Sequence, residues 1–158
     1  MAIALGDVAR VTAALADGAD VNARNEADAT PLDVACGENR LDIVTCLLLH
    51  PTIDVAKASP TLLWTLCRRS ARGLVTQLLD HPTTDPMALL PGPSNVLISL
   101  CEIFGAAEIL VPFLHHPRVD WNVSVGHKTP LQCAVHERYW HKVEVLLQDP
   151  RVQVNGLL

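Results

Sequence analysis

Hydrophobic and polar residues alternate along the chain in short segments that favour helices, and several of these segments end at a proline. Residues 43–48 place one Ile, one Val and two Leu at the spacing that puts apolar side chains on one helical face. His50-Pro51 ends this segment, because a residue before proline avoids helical backbone angles. A β-prone stretch at 53–55 and a polar turn follow. The pattern predicts helices joined by short hairpins.

The same pattern recurs along the chain. The prolines that end the second helix of each unit lie 31, 35 and 33 positions apart, at Pro51, Pro82, Pro117 and Pro150. TPLDVA at 30–35 and TPLQCA at 129–134 are the clearest copies, and residues 6–22 match the second half of the unit. Internal repeats of this length predict stacked units that share one elongated core. The predicted units are a partial repeat at 1–27 and four repeats at 28–58, 59–93, 94–126 and 127–158.

The clearest copies begin with residues that favour the start of a helix. Thr30 and Thr129 stand where a hydroxyl caps the first turn, and the proline after each fits the first helical position. Asp33 and Gln132, three residues later, complete a capping box. The two middle repeats lack Thr-Pro, and Pro112 falls inside the second helix predicted for the third repeat. We therefore expect the middle repeats to be less stable.

These motifs carry a resemblance to a known family. TPLDVA and TPLQCA are similar to the TPLHLA signature of ankyrin repeats, and LADGADVNARN at 15–25 resembles the hairpin between such repeats. The resemblance covers nearly the whole chain. It implies a single domain over 1–158, an all-α repeat solenoid of stacked helix–turn–helix units with short connecting β-hairpins. Since the chain starts within a repeat, stops where another repeat would begin and shows no polar end cap, we also expect a piece of a longer protein.

Composition narrows the classes of function. The net charge of −5, from 12 Lys and Arg against 17 Asp and Glu, disfavours nucleic acid and anionic membrane as main partners. No apolar run approaches the roughly 18 residues that a membrane span needs. Five cysteines without a signal peptide favour a reducing compartment. We expect an intracellular, cytoplasmic protein, with a nuclear location left open.

The histidines and cysteines do not predict a chemical site. His50, His81 and His116 precede prolines in successive repeats, about 8–10 Å apart, whereas zinc ligands lie about 2.0–2.3 Å from one metal. Cys133 and His136 share a helical face, but the cysteines align with small apolar packing positions. We predict no catalytic residue, no metal site and no cofactor. A Cys-dependent enzyme remains a remote alternative.

The family resemblance implies a module that binds a protein or peptide through its concave helix face and its hairpin tips. The third repeat carries the apolar pair Ile103-Phe104 on that face, where other repeats are polar, which favours an apolar contact with a charged rim. The open alternative is that an irregularity near Gly105 turns Phe104 inward. Arg68 and Arg69 either end a solvated helix or bind a partner carboxylate. The predicted partner-binding residues are Arg24, Asn25, Glu26, Glu38, Lys57, Arg68, Arg69, Ile103, Phe104, Trp121, His136 and Glu137.

Three further expectations concern the rest of the surface. Residues 86–95, with Met87, Leu89 and Leu90, either fold over the second hairpin, which is favoured, or project as a contact loop. Uncapped terminal repeats predict end-to-end self-association. A structural spacer or targeting arm of a larger multidomain protein is the alternative function, because one repeat scaffold serves many roles.

Overall fold

The computed structural model describes residues 7–86, 96–102, 107–114, 116–124, 126 and 128–154. Within these ranges the chain forms nine α-helices and two short 3-10 helices, and no strand. The predicted all-α class is therefore confirmed for the described residues. None of their helices combines the length and apolar character that a membrane crossing requires. The chain divides into two compact units, Met1–Asp85 and Pro86–Leu158.

The first unit is built from two helix pairs and one preceding helix. In it α2 packs against α3 and α4 against α5, while α2 also contacts α4 and α3 contacts both α1 and α5. First helices thus pack on first helices and second helices on second helices, so one core runs through the unit. The helices are α1 (Val8–Ala16), α2 (Pro31–Gly37), α3 (Leu41–Leu48), α4 (Leu62–Arg68) and α5 (Arg72–Asp80), with a 3-10 helix at Val55–Lys57.

The second unit contains a similar helix pair at its end. Its last two helices pack on each other; the first of them also contacts α6, and the second contacts the 3-10 helix. Pro112 is the second residue of a short helix, where its missing N–H breaks no helical hydrogen bond. The helix expected there therefore starts late. The elements are α6 (Val96–Glu102), a 3-10 helix (Ala107–Leu110), α7 (Val111–Leu114), α8 (Pro130–His136) and α9 (Trp140–Leu146).

The predicted capping boxes are present at α2 and α8. The Asp33 N–H donates to the Thr30 hydroxyl at 3.3 Å, and the Thr30 N–H donates to the Asp33 carboxylate at 2.9 Å. Thr129 and Gln132 make the same pair of bonds at 3.3 and 2.8 Å. Thr61, which lacks a following proline, makes no side-chain cap bond to α4. The Thr-Pro signal therefore identifies the two capping boxes correctly.

The described connections between helix pairs are turns, and the β-prone stretch at 53–55 forms no strand. Val55 begins a 3-10 helix because the Asp54 carboxylate accepts the Ala56 N–H at 3.1 Å, which bends the chain at this point. At residues 25–28 the chain reverses, and the Asn25 N–H donates to the Ala29 carbonyl at 3.0 Å. Asp28 takes the left-handed conformation there, with φ of 59°. The described connections thus reverse direction without forming strands.

Candidate functional site

The first unit contains a groove of about 480 Å³ between its two helix pairs. The turns before α2 and α4 form part of it, and facing residues of the two helices form the rest. We call this the α2–α4 groove. Its lining includes Arg24, Asp28, Asp33, Gly37, Ser59 and Thr65.

Arg24 links the two turns beside the groove. Its guanidinium donates to the Asp28 carbonyl and carboxylate at 2.7 and 2.9 Å, and to the Lys57 carbonyl at 2.6 Å. The Arg24 side chain is nevertheless 44% exposed. The structure therefore brings together Arg24 and the backbone of Lys57, two residues predicted to meet a partner.

Asp33 forms the second link between the helix pairs. One carboxylate oxygen accepts from the N–H and the hydroxyl of Thr30 at 2.9 and 2.8 Å, and the other accepts from the Ser59 N–H at 2.7 Å. The sequence predicts only the local cap, because Ser59 lies 26 residues away. The groove is thus held open by hydrogen bonds on residues that also start its helices.

Two other predicted hairpin-tip residues lie exposed at 25–26. The side-chain oxygen of Asn25 accepts from the N–H groups of Ala27 and Ala29, both at 3.0 Å. This oxygen therefore holds its own turn in shape. Glu26 is exposed at the tip of the same turn.

Glu38, Arg68 and Arg69 are all exposed at the ends of α2 and α4. Arg69 donates to the Gly37 carbonyl at 2.9 Å, so its charge lies against the negative end of α2. Since Gly37 lines the α2–α4 groove, Arg69 lies beside it. Arg72, the first residue of α5, is also exposed. Three exposed arginines, Arg68, Arg69 and Arg72, thus occur within five residues, and we call them the arginine cluster.

The predicted partner-binding residues of the second unit differ in exposure. His136 and Glu137 are exposed and lie 3.0 Å apart, from Nδ1 to Oε1. Ile103 and Phe104 lie outside the described residues, as does most of the 86–95 segment. The prediction that Trp121 contacts a partner is wrong. Trp121 is 1% exposed and packs inside the unit, so it offers no surface to a partner.

The burial of Trp121 has a counterpart in the first unit. The Asp120 carboxylate accepts the Asn122 N–H at 2.8 Å, as Asp20 does for Asn22 at 2.9 Å. Val21, between the latter two, is also 1% exposed. Alignment of Asp-Trp-Asn with Asp-Val-Asn is the sequence signal that identifies Trp121 as a core residue.

Sequence reasoning missed the two asparagines of these turns. The Asn22 amide donates to the Thr52 carbonyl at 2.8 Å and accepts the Asp54 N–H at 2.8 Å. Asn122 makes the same pair of bonds to residues 151 and 153, at 2.9 and 2.8 Å. Each asparagine therefore joins one turn to the equivalent turn of the next repeat. Their spacing of 100 residues, close to that of the two TPL motifs, is the signal that could have found them.

The histidines before proline have a structural role. Nδ1 of His50 and of His81 lies 3.1 and 2.9 Å from the threonine hydroxyl two residues later. His116 Nδ1 accepts the backbone N–H two residues later at 3.3 Å. Asp149 takes this place in the last repeat. These side chains hold the turn after each helix; the described residues contain no group of three or more side chains suited to a metal ion.

Burial opposes a nucleophilic role for Cys133. Burial, with help from the Glu102 carboxylate that accepts its thiol at 3.7 Å, raises the pKa of Cys133 to about 11. A nucleophilic cysteine needs the opposite shift and an adjacent base. His136 contacts Glu137. The described geometry thus offers no support for the Cys-dependent alternative.

Comparison with known proteins adds no relative. No protein-family model matches the chain, and no curated protein matches it either.

Proposed function

We propose that the protein is a non-catalytic ankyrin-type repeat module that binds a protein or peptide partner in the α2–α4 groove. The observation that carries this proposal is that two consecutive repeats build the groove together, and that Asp33–Ser59 and Arg24–Lys57 bonds hold its walls in place. Because the groove is formed before binding, its residues need not be ordered when a partner binds, which lowers the entropic cost of association.

The ankyrin-type character is supported by features that repeat along the chain. Capping boxes start α2 and α8, and asparagine bridges join turns at Asn22 and Asn122. The contacts of α2 with α4 and of α3 with α5 are those of stacked helix pairs. The connections in this proposal are turns, as observed, and not the strands expected from the resemblance.

The arginine cluster favours a partner with an acidic residue. Arg68 and Arg72 are both exposed, and neither side chain forms an ion pair with another described residue. Arginine binds carboxylates through two parallel hydrogen bonds, and an exposed cluster on a chain of net charge −5 orients an acidic segment locally. We propose that a partner segment lies in the α2–α4 groove and places a carboxylate at the cluster.

A displayed library of random peptides tests the groove. Peptides selected on the wild-type protein are measured against Thr65→Trp, which fills the groove, and Thr76→Trp as a matched control. Both threonine hydroxyls donate to a carbonyl four residues earlier, at 3.0 and 3.1 Å, but only Thr65 lines the groove. We expect Thr65→Trp to weaken binding at least about tenfold and Thr76→Trp to leave it unchanged.

The arginine cluster is tested in the same assay. Arg68→Ala with Arg72→Ala should slow association and reduce its salt dependence, because exposed charges act mainly on the association rate. Peptides that bind Thr65→Trp as tightly as wild type would contradict the proposed groove. A protein that serves only as a spacer would enrich no peptide.

A further inference from the structure

The last helix pair of the second unit exposes apolar residues at positions that the first unit covers. Alignment of the two TPL motifs pairs Leu48 with Leu147 and Val55 with Val154. Leu48 is 6% exposed and Val55 0%, whereas Leu147 is 51% and Val154 50% exposed. Leu41, half-buried in α3, pairs with Trp140, which is 60% exposed. The residue types stay apolar while the cover is lost.

The difference in exposure arises because another helix pair packs on α2 and α3 in the first unit. In the first unit α5 packs against α3 and α4 packs against α2. The pair α8–α9 is the last in the part of the chain that the structure describes. Trp140, Val143 and Leu147 follow the i, i+3, i+7 spacing of one helical face. With Val154 in the turn that follows, they form what we call the α9 end face.

The α9 end face is the main apolar surface of the described residues. Three of their four large exposed hydrophobic side chains belong to it, and the fourth is Leu49, the residue after α3. Exposed apolar groups that cluster in this way are typical of contact sites. His141 and Glu144, both exposed, lie 3.6 Å apart from Nδ1 to Oε2 on the neighbouring surface of α9 and supply a polar rim.

The surfaces of the chain itself indicate what covers this face. On α1, a helix of the first unit, the exposed residues include Ala9, Ala13 and Ala16, and its described residues contain no large exposed hydrophobic side chain. A contact between α9 and α1 of another copy would therefore leave Trp140 against small side chains. The apolar surface that matches the α9 end face in size is the same face on a second copy.

We propose that two copies pair through their α9 end faces about a two-fold axis. An antiparallel contact centred between Val143 and Glu144 places Trp140 of each copy against Leu147 of the other. The two-fold symmetry makes this contact twice, so all four apolar side chains are covered. It also brings His141 of each copy toward Glu144 of the other. The two glutamates near the axis therefore have a histidine neighbour from both sides. This surface lies outside the α2–α4 groove, so its test is independent of partner binding.

Sedimentation equilibrium of the full chain tests the contact. We expect a concentration-dependent mass that rises to twice 17.1 kDa and no further. Leu147→Glu should raise the dissociation constant at least about tenfold, since a charge enters the apolar centre. Leu49→Glu is the matched control, because Leu49 is also the residue after an outer helix and is 74% exposed. It should dimerise as the wild type does, and circular dichroism checks that both variants stay folded.

A cross-link distinguishes the two-fold pair from a head-to-tail contact. Residues next to a two-fold axis face their own copies, so Glu144→Cys in a Cys46→Ser background should give a covalent dimer with a short bismaleimide. Gln77→Cys, on the exposed surface of α5, should remain monomeric in the same background. A strictly monomeric wild type, an open series of larger oligomers, or equal loss of pairing in Leu49→Glu and Leu147→Glu would overturn the proposal.

Discussion

Arg151 links the turn after α9 to the end of α7 by side-chain hydrogen bonds. Its Nε donates to both oxygens of the Asp149 carboxylate at 3.0 and 3.1 Å, and its Nη atoms donate to the carbonyls of Leu114 and His116 at 2.8 and 3.1 Å. The Asp149 side chain is only 4% exposed, whereas that of Arg151 is 38% exposed. The guanidinium therefore satisfies both a buried charge and the carbonyls at the end of α7.

Replacement of Arg151 by Ala should destabilise the protein by about 2–3 kcal/mol, because the buried Asp149 carboxylate would lose the guanidinium that balances its charge and would keep only neutral donors such as the backbone N–H of residue 151. Denaturant unfolding measures this. Arg10→Ala is the control, since Arg10 pairs with Asp7 at 3.3 Å on an open surface, and we expect a change below about 0.5 kcal/mol. Equal effects of the two variants would show that Arg151 contributes only a surface pair.

Lys142 is a charged residue at a repeat position where an apolar residue is expected. It aligns with Ile43 of α3, a core position, and is itself 2% exposed. Its Nζ donates to the Leu100 carbonyl at 2.6 Å and lies 4.8 Å from the centre of the Tyr139 ring. Burial lowers the pKa of Lys142. The lysine thus replaces an apolar contact by a hydrogen bond to the end of α6, at the cost of desolvation.

At the level of the helix, the start determines much of the local stability. Thr30→Ala removes one half of the capping box of α2 and should cost about 1–2 kcal/mol. Thr61→Ala, at the start of α4, should cost less than about 0.5 kcal/mol, because Thr61 makes no cap bond to its helix. Thermal or denaturant unfolding of the two single variants measures the difference. Similar losses in both would mean that the hydroxyl of Thr30 acts through packing.

The two middle helix pairs should open more easily than α2 and α3. The segment 107–114 combines a 3-10 helix with a single α-helical turn, and Pro112 contributes no N–H to it. We expect its amide hydrogens to exchange faster than those of α3, whose apolar face is fully buried. Hydrogen exchange followed by mass spectrometry measures both segments in one experiment. Equal protection in the two would contradict the expected weakness.

For the whole molecule, buried thiols predict a loss of stability at high pH. Burial raises the pKa of Cys36, Cys67 and Cys101 to about 12, and that of Cys133 to about 11, from an ordinary value of 9.0. Above pH 9 the unfolded chain releases these protons and the folded protein retains them. The contribution to stability is therefore complete below pH 9 and is lost as pH rises toward 11–12.

The lowered pKa of Lys142 acts in the opposite direction, because the unfolded chain then binds the extra proton below pH 10.5. Since it is one group against four thiols, we expect net destabilisation between pH 9 and 10.5. Cys67→Ala should reduce the slope of unfolding free energy against pH in that window. Leu66→Val, which removes no titrating group, should lower stability equally at every pH. A slope that Cys67→Ala leaves unchanged would argue against the thiol origin.

Much of the candidate site was predictable at the level of residue type but not of role. Arg24, Arg69 and Glu38 are exposed at turns or helix ends, as a role in partner binding would require, and the repeat register alone indicates which residues end a helix or a turn. The bonds from Arg24 to Lys57 and from Arg69 to Gly37 were not predictable from a local pattern, since the two residues of each pair are 33 and 32 positions apart. The groove itself is a product of those bridges.

The amino-acid sequence by itself determined that the chain is helical and where α2 and α8 begin. Apolar spacing and Thr-Pro starts act within a few residues, so a local pattern specifies them, whereas it did not specify the late start of α7. Tertiary structure alone decided which side chains are covered. It buried Trp121, directed Asp33 to Ser59, and left Trp140 and Leu147 exposed while their counterparts in α3 are better covered. The physical reason is that burial depends on what packs against a residue from another repeat, and no local pattern contains that neighbour.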